Sequence, residues 1–291
     1  MKVDKFRTVI IYIIIILLGL VCLLPLLNIV AISFSSSAAV EGNMVGLIPV
    51  GFSTAAYKKI LEDSQFWHSF LISVERVVLT LIINFVLIVL MAYPLSKTNA
   101  QFRGRNIYAN LMIFAMLFNG GMIPTFLVVK SYGLLNTVWA LVLPGAVPIF
   151  NVILVMNFFA AVPKELEEAA FIDGANPLQV LTKIFIPISK PVLATVSLFS
   201  TVGSWNDFYS GLIYMSKAAY YPLMTYIQSL QINVEDLIKQ GNLSAVVDSA
   251  SLGNTNLNAA KIVVAVIPLL LIYPLLQRYF VSGIVVGSVK G

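Results

Sequence analysis

"EEAAFIDGANPLQVLTKIFIPISKP", residues 167–191, is a charged, alanine-rich stretch in a chain that is otherwise almost wholly apolar. It turns on Gly174 and closes on Pro187 and Pro191. Its meaning depends on what surrounds it. Of the 291 residues, 59% are hydrophobic and 11% charged, against about 45–50% and about 25% in soluble domains. That imbalance argues for an integral membrane protein, in which a short charged segment must lie at the interface or protrude from it. A single cysteine, Cys22, excludes an internal disulfide framework. With one histidine, His68, the chain also lacks the ligands for a Cys/His zinc site. The net charge is +5, but no basic stripe interleaved with aromatic residues points to nucleic acid. The excess Lys and Arg instead mark a membrane side.

A helix crossing the hydrocarbon needs about 20 mostly apolar residues. Six stretches reach that length, at roughly 9–32, 67–95, 107–129, 138–160, 188–215 and 259–280. The first follows "MKVDKFR", which has the charge of a signal-peptide start. Its apolar run is too long for one and no small-residue cleavage site follows closely, so it reads as a retained helix. With the N-terminus inside, the cytoplasmic segments carry eleven basic residues: Lys2, Lys5, Arg7, Lys97, Arg103, Arg105, Lys164, Lys183, Lys190, Arg278 and Lys290. The outer segments carry six: Lys58, Lys59, Lys130, Lys217, Lys239 and Lys261. The positive-inside rule then places both termini and the opening stretch in the cytoplasm. Pro25, Pro124, Pro144, Pro148, Pro268 and Pro274 fall within spans and predict kinked or broken helices. "FNGGMIP" weakens the third helix at Gly120 and Gly121, for close backbone approach or local unwinding. No internal repeat or linker divides the chain, which reads as one membrane domain over 1-291.

Local signals shape the charged segment. Pro163 suits a helix start, and "KELEEAAFID" puts acidic residues in the first turn, where the helix dipole favours them. Leu166, Ala169, Ala170 and Phe171 gather its apolar character. Gly174 predicts a left-handed stop, Asn176 an N-cap, and Pro177 the first position of a second helix that Pro187 breaks. Periodicity alone leaves two readings: a surface connector, or a working cytoplasmic element.

From Glu168 the string runs Glu-Ala-Ala, three residues closing on Asp173, Gly174, nine residues, Ile184, one residue, then Ile186-Pro187. This spacing resembles the EAA signature of permease subunits of binding-protein-dependent ABC importers, with Ile186 where leucine is usual. "GGMIPTFLVVKSYGLLNTVWALVLP" (120–144) and "GSWNDFYSGLIYM" (203–215) are similar to the carbohydrate-uptake branch, of the maltose/oligosaccharide type and its complex-oligosaccharide subgroup. The resemblance covers nearly the whole chain. It implies an all-α integral membrane protein, a type I ABC importer permease. Six transmembrane helices are then joined by a cytoplasmic coupling loop, 163–187, between the fourth and fifth. Glu168, Ala169, Ala170, Asp173, Gly174, Ile184 and Pro187 would form the ATPase-coupling element. The implied setting is a bacterial cytoplasmic (inner) membrane. The implied partners are a second homologous permease subunit, two cytoplasmic ATPase subunits, an extracytoplasmic solute-binding protein, membrane lipid and an oligosaccharide substrate. ATP and Mg would be bound by the ATPase, so no cofactor, metal or catalytic residue is expected in this chain.

The residues agree on the last point. No phosphate-binding P-loop, no HExxH and no nucleophile elbow occurs. Trp205, Asn206, Asp207 and Tyr209 offer an aromatic face beside amide and carboxylate acceptors, as sugar binding requires. With Gly120 and Gly121 they are the candidate substrate pathway. Interfacial belts use the same aromatic residues. Glu75 and Arg76, about 100° apart on one helix, fit either packing or substrate contact. The outer loop 217–258 is long enough to meet a binding protein or to close an outer gate. A permease for a peptide, amino acid or polyol phosphate is the alternative. A stand-alone secondary transporter would need intramembrane carboxylates or inverted repeats, and carboxylates are scarce in the spans.

Overall fold

The computed structural model describes residues 5–118, 120–230 and 255–287. Most of the long outer loop (231–254) and both chain ends lie outside the described residues. Among the described residues the protein is helical, without strands. Thr8–Ser33, Ser64–Leu95 and Thr255–Pro274 are long and apolar enough to cross a membrane singly. Three helix pairs, each bent at a short break, supply up to three further crossings.

Packing groups the chain into two units, one of Met1–Trp67 with Tyr226–Pro268 and one of His68–Thr225 with Leu269–Gly291. In the first, α1 (Lys5–Ser33) leaves nearly all of its apolar span exposed, burying only Ala31 and Ser33 at its end. Its isoleucines and leucines therefore face lipid or another chain, which explains their uniform hydrophobicity without a polar stripe. Two short helices follow, α2 (Ser37–Glu41) and α3 (Ala55–Glu62). Phe34 stacks on Phe52 and Tyr57, and the Tyr57 hydroxyl lies 2.8 Å from Ser33 Oγ.

Asp63 ties this unit together. It accepts from the Phe66 amide (3.0 Å), capping the helix that begins at Ser64, from the Tyr226 hydroxyl (2.9 Å), and pairs with Lys261 at 2.7 Å. Burial alone would raise its pKa, but the bonds from Lys261, Phe66 and Tyr226 outweigh it and hold the carboxyl below its usual value. A depressed folded-state pKa contributes stability above the unfolded value, lost as pH falls through the folded one. The protein is therefore expected to lose thermal stability below about pH 4 partly through this group. Asp63→Asn should be less stable at pH 7, with the gap closing by about pH 3 in melting curves.

The second unit holds most of α4 (Ser64–Leu95), then α5 (Arg105–Leu117) and α6 (Met122–Ser131), which meet at 111°. The break falls in the glycine-rich "FNGGMIP" segment. α7 (Val138–Val142) with its 3-10 turn, and α8 (Ile149–Ala160), meet at 47°. Pro124, Pro144 and Pro148 sit at these breaks, as expected, whereas Pro25, Pro268 and Pro274 lie inside uninterrupted helices. Membrane helices tolerate proline where neighbouring groups and local adjustment re-satisfy the freed carbonyls, so proline alone does not break a span. The fifth expected span is also not a single helix over 188–215. α12 (Lys190–Asn206) ends where Asp207 accepts from the Ser210 amide (3.1 Å), and α13 (Tyr209–Tyr214) starts anew. α13 lies so close to Thr225 that a Cβ on Gly211 would stand 2.1 Å from Thr225 Oγ1. The final helix, α14, is Thr255–Gly287.

One core cluster joins Ile88, Val89 and Ala92 of α4, Val152 and Val155 of α8, and Val192 and Val196 of α12. Lipid is as apolar as these side chains, so close packing rather than transfer from water holds such helices together. Val180 and Phe185 belong to the same cluster, which roots the charged hairpin in the bundle.

Candidate functional site: a rooted hairpin and a polar cavity

The hairpin starts with α9 (Lys164–Ile172). Gly174 has φ +81°, the Ala175 amide donates to Ala170 O (2.9 Å), and the Gly174 amide donates to Phe171 O (3.0 Å). Those are the two bonds of a Schellman stop. A Cβ at Gly174 would meet nothing within 4 Å, so glycine is required for its backbone conformation and not for space. Gly174→Ala is expected to cost about 1–2 kcal/mol and to speed amide hydrogen exchange in α9, with Gly174→Asn milder.

Asn176 then caps α10 (Pro177–Val180) in a reciprocal capping box with Gln179, both bonds 2.9 Å. The expected break at Pro187 is displaced. Leu181–Phe185 widen into a π turn, with the Ile186 amide donating to Leu181 O. That register frees the carbonyls a proline ring would strike, so helix continues through α11 (Ile186–Ile188). The chain turns by 84° only at Ser189.

The two adjacent glutamates face opposite environments. Glu168 is exposed, as are Leu166, Phe171, Ile172 and Leu178. Glu167 is buried; its carboxylate lies 2.6 Å from Lys97 Nζ and accepts from the Tyr93 hydroxyl at 3.1 Å. The Lys97 ammonium also stands 4.1 Å and 4.3 Å from the ring centroids of Tyr93 and Phe185. Burial pulls the Lys97 pKa down, partly offset by Glu167. This cluster clamps α9 to the end of α4. The sequence reading singled out Glu168 by the EAA spacing and passed over Glu167, whose burial no local signal announces.

The second feature is a cavity of about 310 Å³ between α4, α8 and α12. Arg76, Thr80 and Asn84 enter it from α4, at a spacing of four that sets them on one helix face. Ser200, Ser204 and Asp207 enter from α12 and its C-cap, and Asn151 from α8. The buried Arg76 guanidinium pairs with the Asp207 carboxylate and donates from Nη1 to Asp207 O at 2.9 Å. Its Nε is buried with no acceptor. Ser204 Oγ lies 3.4 Å from Thr80 Oγ1. The network orients Asn84 so that Oδ1 accepts from Ser200 Oγ (3.2 Å) and Nδ2 donates to Ala146 O (3.0 Å). Such a cavity presents amides, hydroxyls and a neutral ion pair, groups suited to a polyhydroxylated solute.

Of the expected pathway residues, Asp207 lines the cavity. Trp205 is buried edge-on against Phe70 (5.7 Å, 81°), outside the lining. Asn206, Tyr209, Gly120 and Gly121 are exposed, with the Tyr209 hydroxyl 3.0 Å from Met122 Sδ. Glu75 is exposed, and Arg76 turns inward. Sequence reasoning missed Thr80, Asn84, Ser200 and Ser204. The available signal was polar residues at four-residue intervals in apolar helices.

The family profile described as "Binding-protein-dependent transport system inner membrane component" matches residues 2–286. Protein LplC of Bacillus subtilis (strain 168) is 41% identical over 273 residues, 94% of this chain and 91% of that protein. The polygalacturonan/rhamnogalacturonan transport system permease protein YtcP of the same organism is 40% identical over 288 residues, 99% of each. A solved structure, described as a bacterial ABC transporter involved in the import of the acidic polysaccharide alginate, superimposes with TM-score 0.83 at 32% identity. The match covers 96% of this chain and 98% of that one.

Proposed function

The chain belongs to the inner membrane components of binding-protein-dependent transport systems, and from that premise we propose that it lines one half of the path of an ATP-driven oligosaccharide importer. It is a non-catalytic permease subunit with the all-helical fold of type I ABC permeases. The path would be completed by a second homologous permease. Two ATPase subunits, holding ATP and Mg, would dock on the hairpin 163–187, and a solute-binding protein would deliver substrate from outside. On this reading the chain crosses six times with both termini cytoplasmic, forming one permease domain.

The observation that carries the reading is the hairpin. It exposes Glu168 and four large apolar side chains while its root is locked into the helix core by Glu167, Val180 and Phe185. An element that only connected two spans would need neither the exposed patch nor the clamp. With the hairpin seated in an ATPase groove, closure of the two ATPases would pull α9 and, through Lys97, α4. Alternating access would follow from the rocking of those helices. The oligosaccharide class is supported by the polar cavity and by the sugar polymers named for the relatives.

The test uses the complete importer in proteoliposomes, with ATP hydrolysis followed with and without loaded binding protein. Glu168→Lys and Gly174→Pro should insert and pair normally, yet lose stimulated turnover about tenfold or more, since each disrupts the docking surface. Full stimulated turnover and uptake in both variants would reduce the hairpin to a connector.

A further inference from the structure

An apolar cavity of about 420 Å³ opens beside the turn between α4 and α5. Leu90 and Leu95 of α4, Leu111 and Met112 of α5, and the stacked rings of Phe102 and Tyr108 (5.7 Å, 16°) line it. The Tyr108 hydroxyl is the one side-chain oxygen in the lining. Water placed there has almost nothing to bond to, and the volume lies in the range of ligand pockets, about 300–1,000 Å³.

Two arginines adjoin residues of its wall. Arg105 Nε donates to Leu95 O at 2.9 Å, which fixes the guanidinium against a residue of the cavity wall. Arg103 adjoins Phe102, is exposed, and makes no ion pair among the described residues. Between Glu75 and Glu165 the chain contains no Asp or Glu. The carboxylate that packing does bring to the end of α4, Glu167, is already held by Lys97 and Tyr93.

We propose that this cavity holds an acyl chain of an anionic phospholipid whose phosphate sits against Arg103 and Arg105. An apolar slot beside two arginines, with no free carboxylate beside them among the described residues, is complementary to one apolar tail under one negative head. Guanidinium forks match phosphate oxygens, and the bilayer presents such molecules at this depth. The lipid would brace the turn that also carries Lys97. It is thus a bound component of this subunit and distinct from the surrounding bulk lipid.

The complete importer, purified in detergent, is given equal phosphatidylglycerol and phosphatidylcholine of identical acyl chains, and retained lipid is read by native mass spectrometry. The native complex should retain phosphatidylglycerol preferentially. Arg103→Gln should cut that preference about fivefold, the effect of one arginine near an anionic headgroup, and adding Arg105→Gln should abolish it. Leu111→Trp fills the slot without touching charge and should lose both lipids; Lys130→Gln, in the last turn of α6, should change nothing. Arg103 has no side-chain partner to lose among the described residues, so its variant stays informative if the Arg105 variant folds poorly. Equal retention of both lipids by the native complex overturns the proposal, as does a preference that survives both substitutions. Cross-linking of Ala115→Cys to the second permease in native membranes would assign the slot to that partner and overturn it too.

Discussion

Lys97→Met is expected to destabilise the importer complex by about 3–5 kcal/mol, the cost of leaving a buried carboxylate without its cation. The side chains of Lys97 and Glu167 are 12% and 10% exposed, so solvent can do little to replace the lost partner. The Tyr93 hydroxyl, at 3.1 Å, supplies one neutral hydrogen bond and cannot compensate for a missing charge. Glu167→Met should cost a similar amount, because it strands the ammonium between two aromatic rings. The double variant should recover most of the loss, since replacing both ions by apolar groups of similar volume is close to neutral. Thermal denaturation of the four proteins gives the coupling directly. Single-variant costs below about 1 kcal/mol would mean that the pair behaves like a solvated surface bridge and does not clamp the hairpin.

Stability and coupling separate in the double variant. If the clamp carries movement from α9 into α4, Lys97→Met with Glu167→Met should be stable yet hydrolyse more ATP per solute moved. A ratio equal to the native one would assign the pair a purely structural role.

Asp207→Ala should abolish uptake while leaving the hairpin and ATPase assembly intact. It strands Arg76, whose Nε already has no acceptor, inside the polar cavity. Because 28% of the Asp207 side chain is exposed, the stability cost belongs at the lower end of about 3–5 kcal/mol. Arg76→Lys should fail nearly as badly, because an ammonium lacks the planar fork by which two guanidinium nitrogens reach the Asp207 carboxylate and its backbone carbonyl separately. Uptake in proteoliposomes, with the thermal midpoint of the same preparation, checks both. Native uptake in Asp207→Ala would remove the cavity from the path.

The hairpin was legible because its signals act where they stand. Gly174 relieves a left-handed backbone, Asn176 bonds an amide three residues on, and Pro177 presets its own φ. Pro187 was misread for the same reason: its local rule is to break a helix, and a π turn in the preceding residues absorbs the strain.

The chain by itself determined membrane insertion, the approximate places of the spans, the turn of the hairpin, and the spacing by which its family is recognised. Each depends on length, on apolar content or on a backbone preference expressed within a few residues. The choice between Glu167 and Glu168 depended on Lys97, 70 positions away in sequence. The choice of Arg76 over Trp205 as cavity wall depended on an ion pair spanning 131 positions. Tertiary structure alone decides such cases, because a charged group is buried only where the fold brings it an opposite charge, and no stretch of sequence carries the address of that partner.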